Sequence, residues 1–185
     1  IEIKCTQKEY YDNLSNMIRY MERLFINNPS NTFFKNRTFL LKGERLKWLS
    51  RQKTDIVKSI LQKCDKFRTL TFCADIAHTE ELGKYHINSK NKNSDEVLKA
   101  FNEGKINHIT ACKSLNEGAN LVNCSIGIFA YLSSSSIIIV QRIGRLLRVK
   151  NPMIIIPYYK DTRDEEIVAK MTANFKDFDI IDYKI

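Results

Sequence analysis

The sequence has 185 residues, of which 43% are hydrophobic and 28% charged, a globular composition with enough apolar residues for a core. Thirty Lys and Arg stand against 21 Asp and Glu, and the resulting net charge of +9 favours a polyanionic partner. No apolar run approaches the roughly 18 residues of a membrane span, and six Gly and three Pro exclude a linker-like or collagen-like chain.

The chain begins at Ile1 with neither Met nor a hydrophobic leader, so we expect no signal peptide and a fragment or a processed chain. Its cysteines have no CxxC spacing and predict reduced thiols in a cytosolic-type compartment. The frequent Ile, Lys and Asn indicate an AT-rich genome of a phage or a low-GC bacterium, so we expect the cytoplasm of a bacterial or phage-infected cell, or the nucleoid. The five cysteines are Cys5, Cys64, Cys73, Cys112 and Cys124.

The first 64 residues read as helical. Apolar side chains recur at helical spacing over residues 7–26, turn-forming residues follow at 27–31, and a second helical pattern spans residues 44–64. Most of the positive charge lies on the opposite faces of these helices. It fits either a solvated surface or a nucleic-acid contact.

From Arg68 onward, short apolar runs alternate with amphipathic stretches, which predicts βαβ units and a parallel sheet covered on both faces. We therefore expect a doubly wound, mostly parallel α/β domain over residues 65–185, preceded by a helical connector over residues 1–64. Ligands of such sheets bind beyond the carboxyl ends of the strands. The predicted strands are 69–74, 85–87, 108–112, 126–131 and 153–158, and the predicted helices are 78–83, 94–101, 136–149 and 164–175.

Several familiar sites are missing from the sequence. It has no GxxxxGK[ST] phosphate loop, and no GxGxxG follows the first strand. The three histidines have no cysteine at metal-binding spacing, so we expect them to be structural. The acidic groups at 95–96 and 164–166 each begin a predicted helix, where they complement the helix dipole rather than bind a metal.

The most informative segment is SSSSIIIVQRIGRLLR, residues 133–148. On a helix, Gln141, Arg145 and Arg148 fall within about 60° of one another, and Gly144 beside them leaves room for a close approach. Guanidinium groups suit phosphate oxygens, although the spacing alone fits a solvated basic face equally well.

A second segment, ITACKSLNEGANLVN at 109–123, places polar residues directly after a predicted strand. Lys113, Glu117, Gly118 and Asn120 would then lie at the ligand-binding edge of the sheet, with Gly118 allowing a tight turn. Taken alone the signal is weak, because most loops that follow strands are polar.

Together, TLTFCAD, KSLNEGANL and QRIGRLLR occur in the order of the motifs in the second RecA-like domain of superfamily 2 helicases. The sequence most resembles the branch of the xeroderma pigmentosum group B repair helicase and related phage enzymes. The resemblance covers residues 67–158, and QRIGRLLR is its most specific part. It implies an ATP-dependent DNA or RNA motor domain, with DNA favoured, and no membrane partner.

Carried onto this sequence, the resemblance makes Arg145 and Arg148 arginine fingers, which would neutralise the γ-phosphoryl group of ATP in the transition state. Gln141 would contact the phosphates, and Glu117, Gly118 and Asn120 would lie near the ribose. Asn120 replaces the usual acidic residue. Four residues would contact the nucleic acid: Lys113, Cys112, Phe72 and Asp75.

The resemblance also implies an N-terminal RecA-like domain that supplies the phosphate loop and the Mg²⁺ ligands. We therefore expect residues 1–185 alone to be catalytically silent. Three alternatives remain open: a duplex-DNA translocase of a restriction or repair system, a catalytically inert RecA-like binding module, and an unrelated doubly wound enzyme.

Overall fold

The computed structural model describes residues 1–112, 121–135, 138, 142–144, 146, 149–173, 179 and 181. Within these residues the helices are α1 (Lys8–Asn27), α2 (Thr32–Gln52), α3 (Thr54–Lys63), α4 (Ile76–Leu82), α5 (Ser94–Asn102) and α6 (Arg163–Thr172). The strands are β1 (Glu2–Ile3), β2 (Thr69–Phe72), β3 (His86–Ile87), β4 (His108–Ala111), β5 (Ile126–Phe129), β6 (Met153–Ile155) and β7 (Tyr158–Tyr159).

Five strands form one parallel sheet in the order β3-β4-β2-β5-β6. All four residues of β2 and of β5 are buried, which is why these strands read as continuous apolar runs. The sheet and its covering helices confirm the predicted α/β fold class.

Both faces of the sheet carry a hydrophobic cluster, because successive side chains of a strand point to opposite faces. In β5, Phe129 belongs to a cluster that includes Leu49 of α2 and Phe101 of α5. Its neighbour Ile128 belongs to a second cluster that includes Val57 of α3. The helices before the sheet therefore supply part of both layers.

A second, two-stranded parallel sheet joins residues 2–3 to residues 158–159. β1 pairs with β7, and the Ile1 backbone nitrogen donates a hydrogen bond of 2.9 Å to the Ile156 carbonyl. The sequence did not predict this sheet, since strands of two residues are too short to show alternation. The predicted strand 153–158 is in fact two strands in different sheets.

The helices α1 and α2 form an antiparallel hairpin. Helix α1 follows the predicted range, and Asn31 caps α2 by accepting a hydrogen bond from the Phe33 amide at 3.0 Å. The prediction that the second helix begins at 44 was wrong, because α2 already begins at Thr32. Its first half includes exposed Phe33, Phe39 and Leu40, so it lacks the single buried stripe that marks an amphipathic helix.

The predicted helix 44–64 is interrupted at Lys53, between α2 and α3. Lys53 is fully buried, and its Nζ lies 2.7 Å from Oδ2 of Asp164, which is 1% exposed. Nζ also donates a hydrogen bond to the Pro157 carbonyl. Asp164 lies in the first turn of α6, as predicted. Its carboxylate also neutralises the charge of Lys53, which is 111 residues away in the sequence.

All five cysteines are free thiols. Burial raises the pKa of Cys73, and it raises the pKa of Cys124 to about 12. These thiols stay protonated and pack as small apolar groups.

Candidate functional site

The carboxyl ends of the five parallel strands meet at one edge of the sheet. The residues that follow them are Cys73, Asn88, Cys112, Ala130 and Ile156. Three of the sequence-predicted site residues, Phe72, Asp75 and Cys112, belong to this edge and can be described. We call it the carboxyl edge.

Asp75 connects β2 to α4. Its Oδ1 accepts a hydrogen bond of 3.0 Å from the His78 amide, which makes Asp75 the N-cap of α4. The same atom lies 2.6 Å from Nη2 of Arg51, whose Nη1 bonds Glu81 at 2.6 Å. The Asp75 carboxylate is thus committed to fixing the loop after β2.

A buried polar network holds the ends of β2 and β5 against α2. The ring of His78 accepts a hydrogen bond from the Ala74 amide at Nδ1, 3.4 Å away. Ser50 lies 3.2 Å from the same nitrogen and donates to the Ala130 carbonyl at 2.8 Å. Burial, aided by the charge of Arg51, lowers the pKa of His78 to about 4. The imidazole is therefore neutral at pH 7, in a structural role.

Arg142, in QRIGRLLR, is helical and only 4% exposed. Its guanidinium carbon lies 4.9 Å from the centre of the Phe72 ring, a cation–π contact. Burial lowers the pKa of Arg142, while nearby Tyr131, Cys73 and Cys112 oppose that shift. Among the described residues, no group accepts a hydrogen bond from its buried Nη1. Arg142 therefore anchors this segment to the carboxyl edge.

Phe72 and Cys112 are both buried. The Phe72 ring packs at 4.8 Å from Phe129 on the neighbouring strand and lies under Arg142. With 1% and 5% exposure, these two side chains offer a strand almost no surface, so any contact there would come from backbone atoms. Their assignment to nucleic-acid binding stays a prediction.

The other predicted site residues lie outside the described part of the chain. They are Lys113, Glu117, Gly118, Asn120, Gln141, Arg145 and Arg148. Their roles stay predictions. Of the QRIGRLLR motif the structure describes Arg142, Ile143, Gly144 and Leu146, which are helical.

A polar pocket of about 310 Å³ lies next to β3 and was not anticipated from the sequence. The Asn88 side chain organises its loop by accepting hydrogen bonds of 2.9 Å from the amides of Lys90 and Asn91. An Asn-rich run with two lysines was a detectable signal of a turn that presents positive charge. The lining residues are Glu80, His86, Asn88, Lys90, Asn91, Lys92 and Asn93.

Within the described part of the chain, no group of three or more His, Cys, Asp or Glu is arranged to hold a metal ion. None of the described helices combines the length and the apolar character needed to span a membrane.

Comparison with solved structures identifies the fold. The crystal structure of the E. coli DEAD-box protein SrmB bound to regulator of ribonuclease activity A superposes with a TM-score of 0.57 at 18% identity, over 74% of this chain and 82% of that one. S. cerevisiae Dbp5 bound to RNA and ADP BeF3 superposes with a TM-score of 0.60 at 17% identity, over 73% of this chain and 39% of that one. The C-terminal part of the Fun30 ATPase domain superposes with a TM-score of 0.54 at 20% identity, over 63% of this chain and 44% of that one.

At these identities the similarity establishes the fold alone, and the chain spans well under half of the Dbp5 and Fun30 structures. No curated protein sequence matches this chain. Residues 46–150, which include both β2 and QRIGRLLR, match the family model described as the helicase conserved C-terminal domain. Because this match covers more than half of the sequence, the chain belongs to the helicase C-terminal domain family.

Proposed function

We propose that this chain is the second motor domain of an ATP-dependent nucleic-acid helicase or translocase of superfamily 2, in the branch of the xeroderma pigmentosum group B helicase. The observation that carries the proposal is the position of QRIGRLLR. Within a helicase-family match, its Arg142 is buried over Phe72 at the carboxyl edge, where α/β sheets bind ligands.

The catalytic part of the proposal rests on the arginines that follow Arg142. Arg145 and Arg148 are three and six residues further along, and we assign them to a nucleotide held by a first motor domain. They would neutralise charge on the γ-phosphoryl group, and Gln141 would contact the phosphates or the surroundings of the attacking water. Glu117, Gly118 and Asn120 would approach the ribose.

The cofactor of the proposal is ATP with Mg²⁺, which supplies the phosphoryl group and a counterion for it. This chain offers cationic and amide donors, which suit phosphate oxygens. The described residues hold no carboxylate cluster for the metal, so we assign the Mg²⁺ ligands to the first motor domain.

Strand contact is assigned to the carboxyl edge. Lys113 follows β4, and the pocket beside β3 adds Lys90 and Lys92. Positive side chains at loop tips bind phosphates of any sequence, which suits a protein that moves along a strand. We propose DNA as the polymer, and the RNA in the similar Dbp5 structure makes RNA the necessary comparison.

The test uses the full polypeptide that carries this domain. ATP hydrolysis is measured with and without single- and double-stranded DNA and RNA, for the unsubstituted protein, Arg145→Ala and the control Arg163→Ala, whose partly exposed side chain pairs with Glu166 on α6. We expect strand-stimulated hydrolysis to fall about 10³-fold or more in Arg145→Ala, with ATP binding retained. The Arg163→Ala control should hydrolyse ATP at the rate of the unsubstituted protein.

Each other outcome has a definite meaning. Stimulation by duplex alone would favour the translocase alternative. Hydrolysis that does not depend on Arg145 would refute the finger assignment, and strand binding without hydrolysis would identify an inert binding module.

A further inference from the structure

The helical hairpin α1–α2 has two distinguishable sides. The rings of Tyr10 and Trp48 lie 5.0 Å apart, near the start of α1 and the end of α2, and this contact defines the first side of the hairpin. Lys42 and Glu22 form an ion pair of 2.7 Å further along, and helical spacing places this pair on the opposite side. These contacts define an antiparallel register. Tyr10, early in α1, contacts Trp48, late in α2, whereas Glu22, later in α1, contacts Lys42, earlier in α2.

The Tyr10 side of α1 is exposed and, apart from Asn13, apolar. Tyr10, Met17, Tyr20 and Leu24 fall within about 80° of one another at 100° per residue. The first three are 46–59% exposed, although their neighbours Leu14 and Ile18 are buried against α2. This exposed stripe is therefore distinct from the buried stripe by which α1 packs against α2.

Helix α2 continues the same surface. Phe33, Leu40 and Trp48 fall within about 80° of one another, with Arg37 and the exposed Glu44 between them and Lys47 at the margin. Phe33 and Leu40 are 63% and 56% exposed. Because Trp48 contacts Tyr10, the two stripes share one side of the hairpin. We call Tyr10, Met17, Tyr20, Phe33 and Leu40 the aromatic face.

The charge of the hairpin indicates which partner this face suits. Residues 15–47 contain seven Lys and Arg but only two acidic residues, a net charge of +5. Of the two acids, Glu22 is paired with Lys42 on the opposite side, whereas Glu44 lies on the same side as Arg37. Rings that stack on bases, set among Lys and Arg that attract phosphates, are the components of single-strand binding surfaces.

We propose that the aromatic face binds single-stranded nucleic acid, with Tyr20 and Phe33 stacking on bases and Arg37 and Lys47 near the phosphates. From Tyr10 to Leu24 the face extends about 21 Å, the length of about six stacked bases. This goes beyond the proposed function, which places strand contact at the carboxyl edge. It gives the helices before the sheet a binding role of their own.

The test is fluorescence anisotropy of labelled single-stranded oligothymidine and oligouridine with the 185-residue chain. We expect Tyr20→Ala with Phe33→Ala to weaken binding about 25-fold, at about fivefold for each lost ring. Phe39→Ala is the matched control, because Phe39 is 77% exposed and points about 130° away from the aromatic face. The control should stay within about twofold.

A second pair of variants separates stacking from apolar docking. Tyr20→Trp keeps an aromatic ring and should retain the affinity for the oligonucleotide. Tyr20→Leu keeps only apolar surface, so its affinity should fall as much as that of Tyr20→Ala. All of these side chains are exposed, so the melting temperature should not change.

The proposal is overturned if the unsubstituted chain binds neither oligonucleotide, or if the double variant binds as tightly as the unsubstituted chain. Full affinity in Tyr20→Leu would also overturn it and would indicate a protein-docking face. Since the readout is binding without ATP, failure here leaves the Arg145 test of the proposed function untouched, and the reverse holds as well.

Discussion

Two basic side chains, Lys53 and Arg142, are buried in this domain although their residue types predict exposure. Each is placed by a specific partner: Asp164 for Lys53, and the Phe72 ring for Arg142. Arg142 carried a detectable signal of its burial. It lies four residues before the buried Leu146, so helical periodicity puts both on one face. Lys53 had no such signal, because its partner is 111 residues away.

The buried ion pair gives the prediction at the residue scale. Lys53→Met should lower the free energy of unfolding by about 3–5 kcal/mol, because the Asp164 carboxylate would be left buried without its counterion. Urea unfolding followed by circular dichroism measures the change.

The double variant Lys53→Met with Asp164→Leu is the matched comparison. It removes both charges, so most of the lost stability should return. A double variant as unstable as Lys53→Met alone would show that packing around Lys53, rather than the unpaired charge, sets the loss.

At the scale of elements, the contact between β5 and the QRIGRLLR segment depends on a glycine. A Cβ at Gly127 would overlap Leu146 Cδ1 and lie 3.1 Å from Leu146 Cγ. The absence of a side chain on β5 thus allows Leu146 to reach the sheet, where it is almost fully buried.

Gly127→Ala should therefore displace the segment that carries the proposed fingers. We expect a loss of about 1–3 kcal/mol in stability, typical of an overpacked core, together with reduced strand-stimulated ATP hydrolysis in the full polypeptide. Adding Leu146→Ala makes room for the new methyl group and should restore part of the activity. Hydrolysis unchanged in Gly127→Ala would mean that this contact does not position the fingers.

Most elements could be predicted because their burial is periodic or continuous. Strands β2, β4 and β5 are buried along their central residues, and α1 has a regular buried stripe. The first half of α2 could not be predicted in the same way, because its buried and exposed apolar residues surround the helix. The small sheet of β1 and β7 depends on a long-range contact that local pattern does not encode.

At the scale of the whole molecule, the helices before residue 64 are part of the core. Leu49 and Val57 are fully buried in clusters on opposite faces of the sheet, and Lys53 neutralises Asp164. The expected boundary at residue 64 can be tested directly. We predict that a fragment of residues 65–185 shows no cooperative thermal transition, whereas residues 1–185 do.

The reason is that the fragment exposes apolar surface on both sides of its sheet and leaves a buried carboxylate unpaired. Circular dichroism melting and limited proteolysis compare the two chains. A cooperative transition in 65–185 would contradict this prediction and would support an independent domain that begins at residue 65.

The pairing of β1 with β7 has a consequence for the order of events during synthesis. Ile156, whose carbonyl is hydrogen-bonded to Ile1, is synthesised 155 residues after it. The hairpin α1–α2 needs only neighbouring residues and can form while the chain is still growing. β1 must wait unpaired until nearly all of the described chain has emerged, so docking of this strand comes late in the folding of the domain.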